Sequence, residues 1–373
     1  MIIGILREPS IETRVSLIPE HIKVLTKQNI LVLAEHDCGI LAFAPDNLYS
    51  EQGAELKTRE EILKLSDILL SINPLTSEDL KNVKKDAVVL GVYNPLGAFL
   101  SMKEWAHKGL TTFSMDMLPR TTRAQSMDIL SSQANIAGYK AVLLAAMQLP
   151  KYFPMFMTAA GSIAPAKVMI LGAGVAGLQA IATAKRLGAV VEVFDTRPAV
   201  KEEVMSLGAK FIEVEGAQDA SNAGGYAVVQ TEEYLQKQRE RIAEVASKAD
   251  VIITTAQIPG KKAPILLPDH ILDNMKIGSL IIDLASSTGG NTSQTKDRET
   301  ITYKNVTIIG HSNLPSTMPS DSSKLYGKNI LNFLQLIIAA DGTLNLNFED
   351  DLVKGTCITH QSEVCNNRVK ELI

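Results

Sequence analysis

Residues 168–177 read VMILGAGVAG, an apolar run followed by a Gly-x-Gly-x-x-Gly fingerprint and then by a helix-forming stretch. In this pattern the first glycine makes a tight turn, the second lets the backbone approach a pyrophosphate, and the third allows close packing of helix on strand. The fingerprint occurs once in the 373 residues, so the sequence predicts one dinucleotide site. The predicted contacts in this turn are Gly172, Gly174, Val175, Ala176 and Gly177.

An acidic residue follows at the distance expected for a ribose ligand. Asp195 ends the next apolar run, residues 190–194, and lies 18 residues after Gly177. A carboxylate at this position accepts hydrogen bonds from both ribose hydroxyls and repels a 2'-phosphate, which predicts NAD(H) rather than NADP(H). Thr196 and Arg197 belong to the same predicted site, and the positive charge of Arg197 leaves NADP(H) open.

Length and composition narrow the class of protein. The chain has 373 residues, and 46% of them are hydrophobic. This length exceeds what a single hydrophobic core usually supports, so two domains are expected. The formal net charge is -4, and the positive residues are spread along the sequence. The charge distribution therefore gives no reason to expect nucleic-acid binding. Cys38, Cys357 and Cys365 are odd in number and lack metal-type or Cys-x-x-Cys spacing. We therefore expect free thiols in a reducing compartment, no metal site and no catalytic cysteine.

The sequence also bears on the cellular location. Residues 1–7, MIIGILR, lack the basic start and the apolar core of a signal peptide and are typical of a first strand. The most apolar helical stretch, 141–147, is far shorter than the roughly 20 residues that a membrane crossing needs. We expect a cytoplasmic chain whose association with a membrane is peripheral.

Two series of short apolar runs alternate with polar helical stretches, as in parallel sheets with crossover helices. The first series predicts strands at 2–6, 30–34, 68–72, 88–92 and 111–113. The second predicts strands at 168–171, 190–194, 211–214, 251–255, 279–283 and 306–310. Two long apolar-periodic helices are predicted at 123–148 and 321–340.

The predicted fold is α/β, with two Rossmann-like doubly wound parallel-sheet domains joined by long helices and an NAD cleft between them. We expect a discontinuous first domain over 1–122 plus 321–373, a connecting helix over 123–148 and a Rossmann domain over 149–320. The polar tail after Asp341 is expected to be edge structure or a loose end.

The segment 216–238 is long for a connection between two strands of such a fold. It contains NAGGY at residues 222–226, followed by charged helix-forming residues. Long insertions near a nucleotide site are often lids, and an ordinary surface loop is the alternative.

The chain lacks an obvious proton donor for ketone reduction, which moves a proton as well as a hydride. Among the histidines only His311 is expected at the carboxyl edge of a Rossmann strand, where a structural role is more common than a catalytic one. Two polar residues are expected at strand ends of the first domain, Asn73 and Asn94. An asparagine side chain can orient a ligand but cannot serve as its general acid. Direct hydride transfer between two nicotinamide rings needs no general acid or base, and this reaction fits the chain.

The segment 119–133, PRTTRAQSMDILSSQ, closely resembles the NAD(H)-binding component, domain I, of proton-translocating NAD(P) transhydrogenase. Similar stretches run along the whole chain: AGY at 137–139, ETRV at 12–15, DTRP at 195–198, AGGY at 223–226, IPG at 258–260, GGN at 289–291 and LYGKN at 325–329. The resemblance implies an alanine-dehydrogenase-like fold in a chain separate from the membrane-spanning and NADP(H)-binding subunits. It also implies a homodimer.

The resemblance implies roles for four polar residues at the nicotinamide end of the cofactor. The family's Arg-Gln-Asp loop falls on Arg120, Gln125 and Asp128, with Ser131 one helical turn on. Gln125 has the chemistry to bond the carboxamide, Asp128 to fix Arg120 or a ribose hydroxyl, and Arg120 to reach the diphosphate or the ring edge. A plain surface pair between Arg120 and Asp128 is the alternative.

Further cofactor contacts are expected at Gly225, Tyr226, Ala256 and Gln257. The resemblance implies that Tyr226 belongs to a mobile loop that folds over bound nucleotide, in agreement with a lid. One departure from the family is SST at 286–288, before GGN at 289–291, where an acidic or amide side chain is expected.

Alanine dehydrogenases share this fold but carry a Lys and a His in the first domain for their substrate. At the corresponding turns this chain has SINP at 71–74 and YNP at 93–95, with neither residue. We therefore expect the chain to present NADH to NADP+ held by a partner subunit of the proton-translocating enzyme. The rivals are an alanine- or opine-type dehydrogenase and an NAD-sensing module that binds without transferring hydride.

Overall fold

The computed structural model describes residues 1–214, 216, 231–258 and 260–373, which form two compact units. Unit 1 consists of Met1–Gln133 and Ser316–Ile373, and unit 2 consists of Ala134–Pro315. The chain leaves unit 1 within the α-helix Ile129–Gln148 and returns to it within the 3-10 helix Leu314–Thr317.

Unit 1 is built on an eight-stranded sheet whose first six strands are parallel and pair in the order 3-2-1-4-5-6 of a doubly wound fold. Two short strands from the C-terminal part extend this sheet in the antiparallel sense. From edge to edge the strands are Glu55–Lys57, Leu31–Glu35, Ile2–Ile5, Ile68–Leu70, Val88–Gly91, Thr111–Ser114, Cys357–His360 and Glu363–Val364.

Both faces of this sheet are buried. Val88 and Leu90 belong to one hydrophobic cluster and Val89 to another, because successive side chains of a strand point to opposite faces. The α-helices of unit 1 are Pro19–Thr26, Asp46–Glu51, Arg59–Leu65, Asp79–Asn82, Phe99–His107, Pro319–Ile337, Asp351–Thr356 and Asn367–Lys370.

The long helix of the C-terminal part runs over Pro319–Ile337 instead of the predicted 321–340. Proline occupies the first turn, where its missing N–H is not needed, and the backbone at Ile338 is already extended. The ring of Phe333 on this helix meets the edge of the Phe113 ring at a centroid distance of 5.4 Å. This contact joins the helix to the sheet of unit 1.

The other long helix begins later than the predicted residue 123. Thr122–Met127 form a 3-10 helix, and the α-helix runs over Ile129–Gln148. The prediction is wrong because Asp128 starts the helix: its backbone is not helical (φ -74°, ψ 88°), and its Oδ1 accepts a hydrogen bond from the N–H of Ser131 at 2.9 Å.

Unit 2 contains a seven-stranded sheet in which six parallel strands again have the order 3-2-1-4-5-6 and one edge strand is antiparallel. In spatial order the strands are Lys210–Phe211, Val190–Phe194, Lys167–Leu171, Val251–Thr254, Leu280–Asp283, Val306–Ile309 and Thr300–Tyr303. Helices Val175–Arg186, Lys201–Ser206, Glu232–Ala246 and Asp269–Leu272 accompany them. The two doubly wound sheets confirm the predicted α/β fold class.

Several short strands are absent from the sequence-based prediction. They are Glu55–Lys57, the separate hairpin Phe156–Thr158 and Gly161–Ile163, and Thr300–Tyr303. Each is exposed or only partly buried and so lacks a continuous apolar run. The predicted strand 211–214 is reduced to Lys210–Phe211. The tail after Asp341 contributes the edge strands of unit 1 named above.

In the part of the chain that the structure describes, no helix combines the length and the apolar character needed to span a bilayer.

Candidate functional site

The glycine turn of unit 2 follows the strand Lys167–Leu171, which pairs with Val190–Phe194 on one side and Val251–Thr254 on the other. The strand order reverses here, and doubly wound folds bind their ligands at such a point. Gly172 has a φ of 103°, a left-handed backbone that favours glycine. A Cβ atom there would overlap Oγ1 of Thr255, so the neighbouring strand end closes this side of the turn.

The helix Val175–Arg186 begins directly after the turn, with Gly174 as its N-cap. A Cβ atom on Gly177 would overlap the carbonyl oxygen of Gly172, so the helix approaches the turn as closely as only glycine permits. A Cβ atom on Gly174 would meet no atom within 4 Å. The space beside Gly174 is therefore open, and the N–H groups of the helix N-terminus attract an anion such as a diphosphate into it.

Asp195 lies against the same turn and is only 8% exposed. Its Oδ2 accepts a hydrogen bond from the N–H of Ala173 at 2.7 Å. Arg197 folds back onto the carboxylate, with Nε donating to Oδ1 at 2.9 Å and Nη2 donating to Oδ2 at 2.8 Å. These hydrogen bonds raise the pKa of Arg197. The structure thus brings the acid, the arginine and the glycine turn together, with half-buried Thr196 between the two charged residues.

Ala256 is fixed beside the turn by a buried asparagine. Asn291 accepts a hydrogen bond from the N–H of Ala256 at 3.1 Å through Oδ1, and its Nδ2 donates to the carbonyl oxygens of Ala256 at 2.9 Å and Pro264 at 2.8 Å. Thr255 donates from Oγ1 to the carbonyl oxygen of Gly172 at 3.1 Å. In the sequence, Asn291 is notable only as part of GGN at 289–291, a stretch similar to the transhydrogenase family. The sequence does not predict the hydrogen bonds of Asn291 to Ala256 and Pro264, or the contact of Thr255 with Gly172.

The residues around Asn291 are themselves well connected. The N–H of Asn291 donates to Oδ2 of Asp283 at 2.6 Å, and Gln257 donates from Nε2 to the carbonyl oxygen of Leu284 at 2.9 Å. The SST departure forms the 3-10 turn Ser286–Thr288, in which Oγ of Ser286 donates to Asp297 at 2.9 Å. Asp283 is the last residue of the buried strand Leu280–Asp283, at the same edge of the sheet as the glycine turn. An acidic residue at the end of an apolar run is the sequence signal that could have identified it as a site residue.

The four residues expected at the nicotinamide end lie in unit 1. Arg120 and Gln125 are exposed, and Asp128 and Ser131 are half-buried. Oγ of Ser131 donates to Oδ2 of Asp128 at 2.6 Å, in addition to the backbone hydrogen bond that starts the helix. The structure therefore brings Asp128 and Ser131 together and fixes both oxygens of the carboxylate.

The segment 119–128 is held by side chains from distant parts of unit 1. Nδ2 of Asn329 donates to the carbonyl oxygen of Ser126 at 2.8 Å, and Oγ of Ser132 donates to Oδ1 of Asn329 at 2.8 Å. Arg123 donates from Nη1 to Asp350 at 2.6 Å and also pairs with Asp351. These contacts fix the backbone that carries Arg120 and Gln125.

A buried ion pair links the two sequence segments of unit 1. Arg14 contacts Glu12 through Nε at 2.8 Å and Nη2 at 2.7 Å, and its Nη1 donates to Oε1 of Gln133 at 2.8 Å. Oγ of Ser316 donates to Oε1 of Glu12 at 3.1 Å. Burial alone would raise the pKa of Glu12, but the hydrogen bonds and charge of Arg14 outweigh it and hold the pKa below its usual value.

Glu8 is a titratable residue that was not predicted from the sequence. It is 8% exposed, and burial raises the pKa of its carboxyl to about 7. The carboxyl accepts hydrogen bonds from the N–H of Ile72 at 2.6 Å, the N–H of Asn73 at 3.0 Å and Nδ2 of Asn73 at 2.8 Å. Asn73, which was expected to orient a ligand, therefore uses its amide to hold Glu8. A single glutamate after the first strand has no periodic or motif signal.

The two remaining polar candidates from the sequence are Asn94 and His311. Asn94 has a left-handed backbone, with φ 47°, in the turn after Val88–Gly91 of unit 1. His311 of unit 2 is half-buried, and its Nε2 lies 3.4 Å from Oγ1 of Thr300 on the antiparallel edge strand.

Gly225 and Tyr226 lie outside the described residues, as does most of the predicted lid over 216–238. Its last seven residues, 232–238, are the start of the helix Glu232–Ala246. Thr231 caps this helix, because its Oγ1 accepts a hydrogen bond from the N–H of Tyr234 at 3.2 Å. This end of the predicted lid is therefore regular helix.

Two family models match most of the chain. The alanine dehydrogenase/PNT N-terminal domain matches residues 4–137, and the alanine dehydrogenase/PNT C-terminal domain matches residues 141–367. The chain therefore belongs to the alanine dehydrogenase/PNT family.

Within this family the chain is similar to transhydrogenase alpha subunits. It is 43% identical over 365 residues to the first part of the NAD(P) transhydrogenase subunit alpha of Rickettsia prowazekii, covering 96% of this chain and 94% of that protein. The crystal structure of transhydrogenase from Sinorhizobium meliloti matches with a TM-score of 0.89 at 42% identity, covering 98% of this chain and 100% of that one. Alanine dehydrogenase of Staphylococcus saprophyticus is more distant, at 24% identity over 100% of this chain and 97% of that protein. The resemblance expected from the sequence is confirmed.

The two glycines of the turn are expected to respond differently to alanine. Gly177→Ala places a Cβ against the carbonyl oxygen of Gly172, so we expect the free energy of unfolding to fall by about 1–3 kcal/mol although alanine is the better helix former. Gly174→Ala enters open space at an extended N-cap and is expected to cost less than about 1 kcal/mol. Urea unfolding of the two variants measures the difference, and equal losses would contradict this account of the turn.

Proposed function

We propose that the chain is the NAD(H)-binding component of a Si-specific, proton-translocating NAD(P)+ transhydrogenase. It binds NADH, and hydride passes directly to NADP+ on a partner subunit, giving NAD+ and NADPH. The partner subunits bind NADP(H) and span the membrane, and changes in nucleotide binding link hydride transfer to proton movement. The chain is peripheral to the membrane on the cytoplasmic side through these partners.

The near-full-length similarity to transhydrogenase alpha subunits carries this proposal. The sequence contains one glycine fingerprint, so the chain is expected to hold one dinucleotide, and the second has to come on another molecule. The Rickettsia protein is named as one part of a subunit, which indicates that it acts with further polypeptides. At the turns where alanine dehydrogenases carry a Lys and a His, this chain has SINP at 71–74 and YNP at 93–95, with neither residue, which disfavours the dehydrogenase alternative.

In unit 2 the residues fit the phosphate and adenosine end of NAD(H). The open space beside Gly174, at the N-terminus of Val175–Arg186, accommodates the diphosphate. Asp195 is held at the glycine turn by the N–H of Ala173, in position to accept hydrogen bonds from the adenosine ribose. The ion pair with Asp195 neutralises Arg197, which reduces its attraction for the 2'-phosphate that distinguishes NADP(H).

In unit 1 the residues fit the nicotinamide end. Gln125 is exposed and bonds the carboxamide, while Asp128, fixed by Ser131, holds a ribose hydroxyl or Arg120. When bound, NADH supplies a hydride from C4 of its ring, and NADP+ accepts it. Hydride transfer between two nicotinamide rings releases no proton. These side chains therefore position the ring and do not act as a general acid or base.

The direct test is reconstitution of hydride transfer. The full chain, mixed with the NADP(H)-binding subunit of the same enzyme, is expected to reduce the thionicotinamide analogue of NADP+ with NADH, measured by the absorbance of the reduced analogue. The chain alone is expected to leave it unreduced. Absence of transfer with an authentic partner would refute the proposal, and rapid oxidation of NADH by pyruvate plus ammonia would establish the alanine dehydrogenase alternative.

A matched pair of glutamine variants connects this activity to the predicted nicotinamide site. Gln125→Ala is expected to lower the transfer rate about tenfold, because one positioning hydrogen bond to the ring is lost. Gln28→Ala changes another exposed glutamine of unit 1 and is expected to leave the rate unchanged. Equal rates for the two variants would remove Gln125 from the site.

Asp195→Asn is expected to change the choice of nucleotide. Loss of the charge weakens the hydrogen bonds to the ribose and releases Arg197 from its carboxylate, so the Kd of NADH should rise roughly tenfold while that of NADPH does not rise. Glu192→Gln, in the strand that leads to Asp195, is the control and should change neither value. Fluorescence titration measures both, and a parallel loss of NADH and NADPH binding would contradict the role given to Asp195.

We also propose that two copies of the chain associate through the hairpin of unit 2. All six strand residues of Phe156–Thr158 and Gly161–Ile163 are exposed, and the side chain of Met157 is among the most exposed apolar groups. The ring of Tyr152 stacks on that of Phe156 at 5.2 Å, beside an open cavity of about 510 Å³ lined in part by Tyr152, Phe153 and Pro154. Exposed Phe156, Met157 and Ile163 lie next to this cavity, whose lining also includes Lys151 and Arg186, and such a surface suits a two-fold symmetric contact.

A charge in the hairpin is expected to separate the copies. Met157→Glu places a carboxylate in the proposed contact, so sedimentation equilibrium at micromolar concentration should show a monomer where the unmodified chain is a dimer. Ile277→Glu changes a residue that is 84% exposed elsewhere in unit 2 and should remain dimeric. A Met157→Glu variant that stays dimeric would exclude the hairpin as the interface.

A further inference from the structure

Two cysteine thiols lie side by side at the edge of unit 1. The Sγ atoms of Cys357 and Cys365 are 3.5 Å apart and share a hydrogen bond. Cys357 begins the strand Cys357–His360 and is fully buried, and Cys365 follows the short edge strand and is half-buried. The N–H of Cys365 donates to the carbonyl oxygen of Ile358 at 2.8 Å, which fixes the two thiols within one hairpin.

We propose that Cys357 and Cys365 are a redox modification site that forms an internal disulfide by exchange with a low-molecular-weight disulfide such as oxidised glutathione. A disulfide needs a sulfur–sulfur distance of about 2.05 Å, so the two atoms have to approach by roughly 1.5 Å. Among the described residues the edge strand Glu363–Val364 pairs only with the strand that carries Cys357, so the shift disturbs no further strand pairing.

The two thiols have different parts in the reaction. The half-buried thiol of Cys365 is the accessible one, and the hydrogen bond with Cys357, aided by the charge of Lys370, lowers its pKa. The same hydrogen bond, together with burial, raises the pKa of Cys357. Cys365 is therefore the attacking thiolate and Cys357 the thiol that resolves the intermediate.

The exchange proceeds in two balanced steps. The Cys365 thiolate attacks one sulfur of glutathione disulfide, whose S–S bond breaks, and one glutathione thiolate leaves and takes a proton. Cys357 loses its proton and attacks Sγ of Cys365, the mixed disulfide breaks, and the second glutathione leaves as a thiol. Two electrons pass from the protein thiols to the small disulfide, which becomes two thiols.

The position of the pair connects it to the segment 119–128. The strand Cys357–His360 pairs with Thr111–Ser114, after which the chain enters that segment. A Cβ atom on Gly355 would overlap the ring of Pro119, so the residues just before Cys357 contact the start of the segment. Disulfide formation closes the hairpin 357–365 and tightens the support on which the segment rests.

The test uses the full chain in glutathione redox buffers, quenched with N-ethylmaleimide and analysed by intact mass and peptide mapping. Under oxidising conditions the chain should become lighter by two hydrogen atoms, lose two alkylatable thiols and yield a cross-linked peptide containing Cys357 and Cys365. Buried Cys38 should remain a thiol that alkylates only after unfolding. Under native reducing conditions Cys365 should be alkylated at least about tenfold faster than Cys38.

Serine variants separate the two parts. Cys357→Ser should stop at one glutathione bound to Cys365, Cys365→Ser should not react, and Cys38→Ser should form the internal disulfide like the unmodified chain. Peptide mapping of the unmodified chain stands independently of how the variants fold. A mixed disulfide without the internal cross-link, a cross-link involving Cys38, or no oxidation in any buffer would overturn the proposal.

Discussion

Unit 2 depends on one close approach, that of the backbone at Gly177 to the carbonyl oxygen of Gly172. The approach places the N-terminus of Val175–Arg186 directly over the end of the strand at which the sheet order reverses. The turn is then short enough for Asp195 to accept a hydrogen bond from the N–H of Ala173 and for Thr255 to donate to Gly172. A Cβ atom at the contact would force the helix and the turn apart.

The polar residues of unit 1 are positioned by side chains instead of by backbone contact. The segment 119–128 is mostly 3-10 helix and turn, and it has no sheet partner of its own. Asn329 donates to the carbonyl oxygen of Ser126, and Asp350 pairs with Arg123 of the segment, so both supports come from residues far away in the sequence. Such a segment keeps its shape only while the C-terminal residues are docked on unit 1, because Asn329 and Asp350 belong to them.

How far the sequence predicts this structure depends on the range of each interaction. Strands buried on both faces, such as Val88–Gly91, are continuous apolar runs and were found, whereas Thr300–Tyr303 alternates and was missed. The helix start at Ile129 was missed because Met127, Leu130 and Ala134 keep helical spacing across Asp128. The nearness of Asp195 to the glycine turn follows from local strand order. The hydrogen bonds of Asn291 with Ala256 and of Asn329 with Ser126 join residues that are 35 and 203 positions apart, so no local sequence pattern predicts them.

Asp128 starts a helix in the structure, and a second task, contact with the nicotinamide ribose, is proposed for it. Its carboxylate starts the helix Ile129–Gln148 through Ser131, and it is also a candidate ligand of the nicotinamide ribose. If this position were invariant among descendants of a common ancestor, folding alone would explain it, and the invariance would carry little information about chemistry. Lineages in which Asn, Ser or Thr replaced it would preserve the helix start while losing the negative charge, and they would reveal which of the two tasks had been inherited.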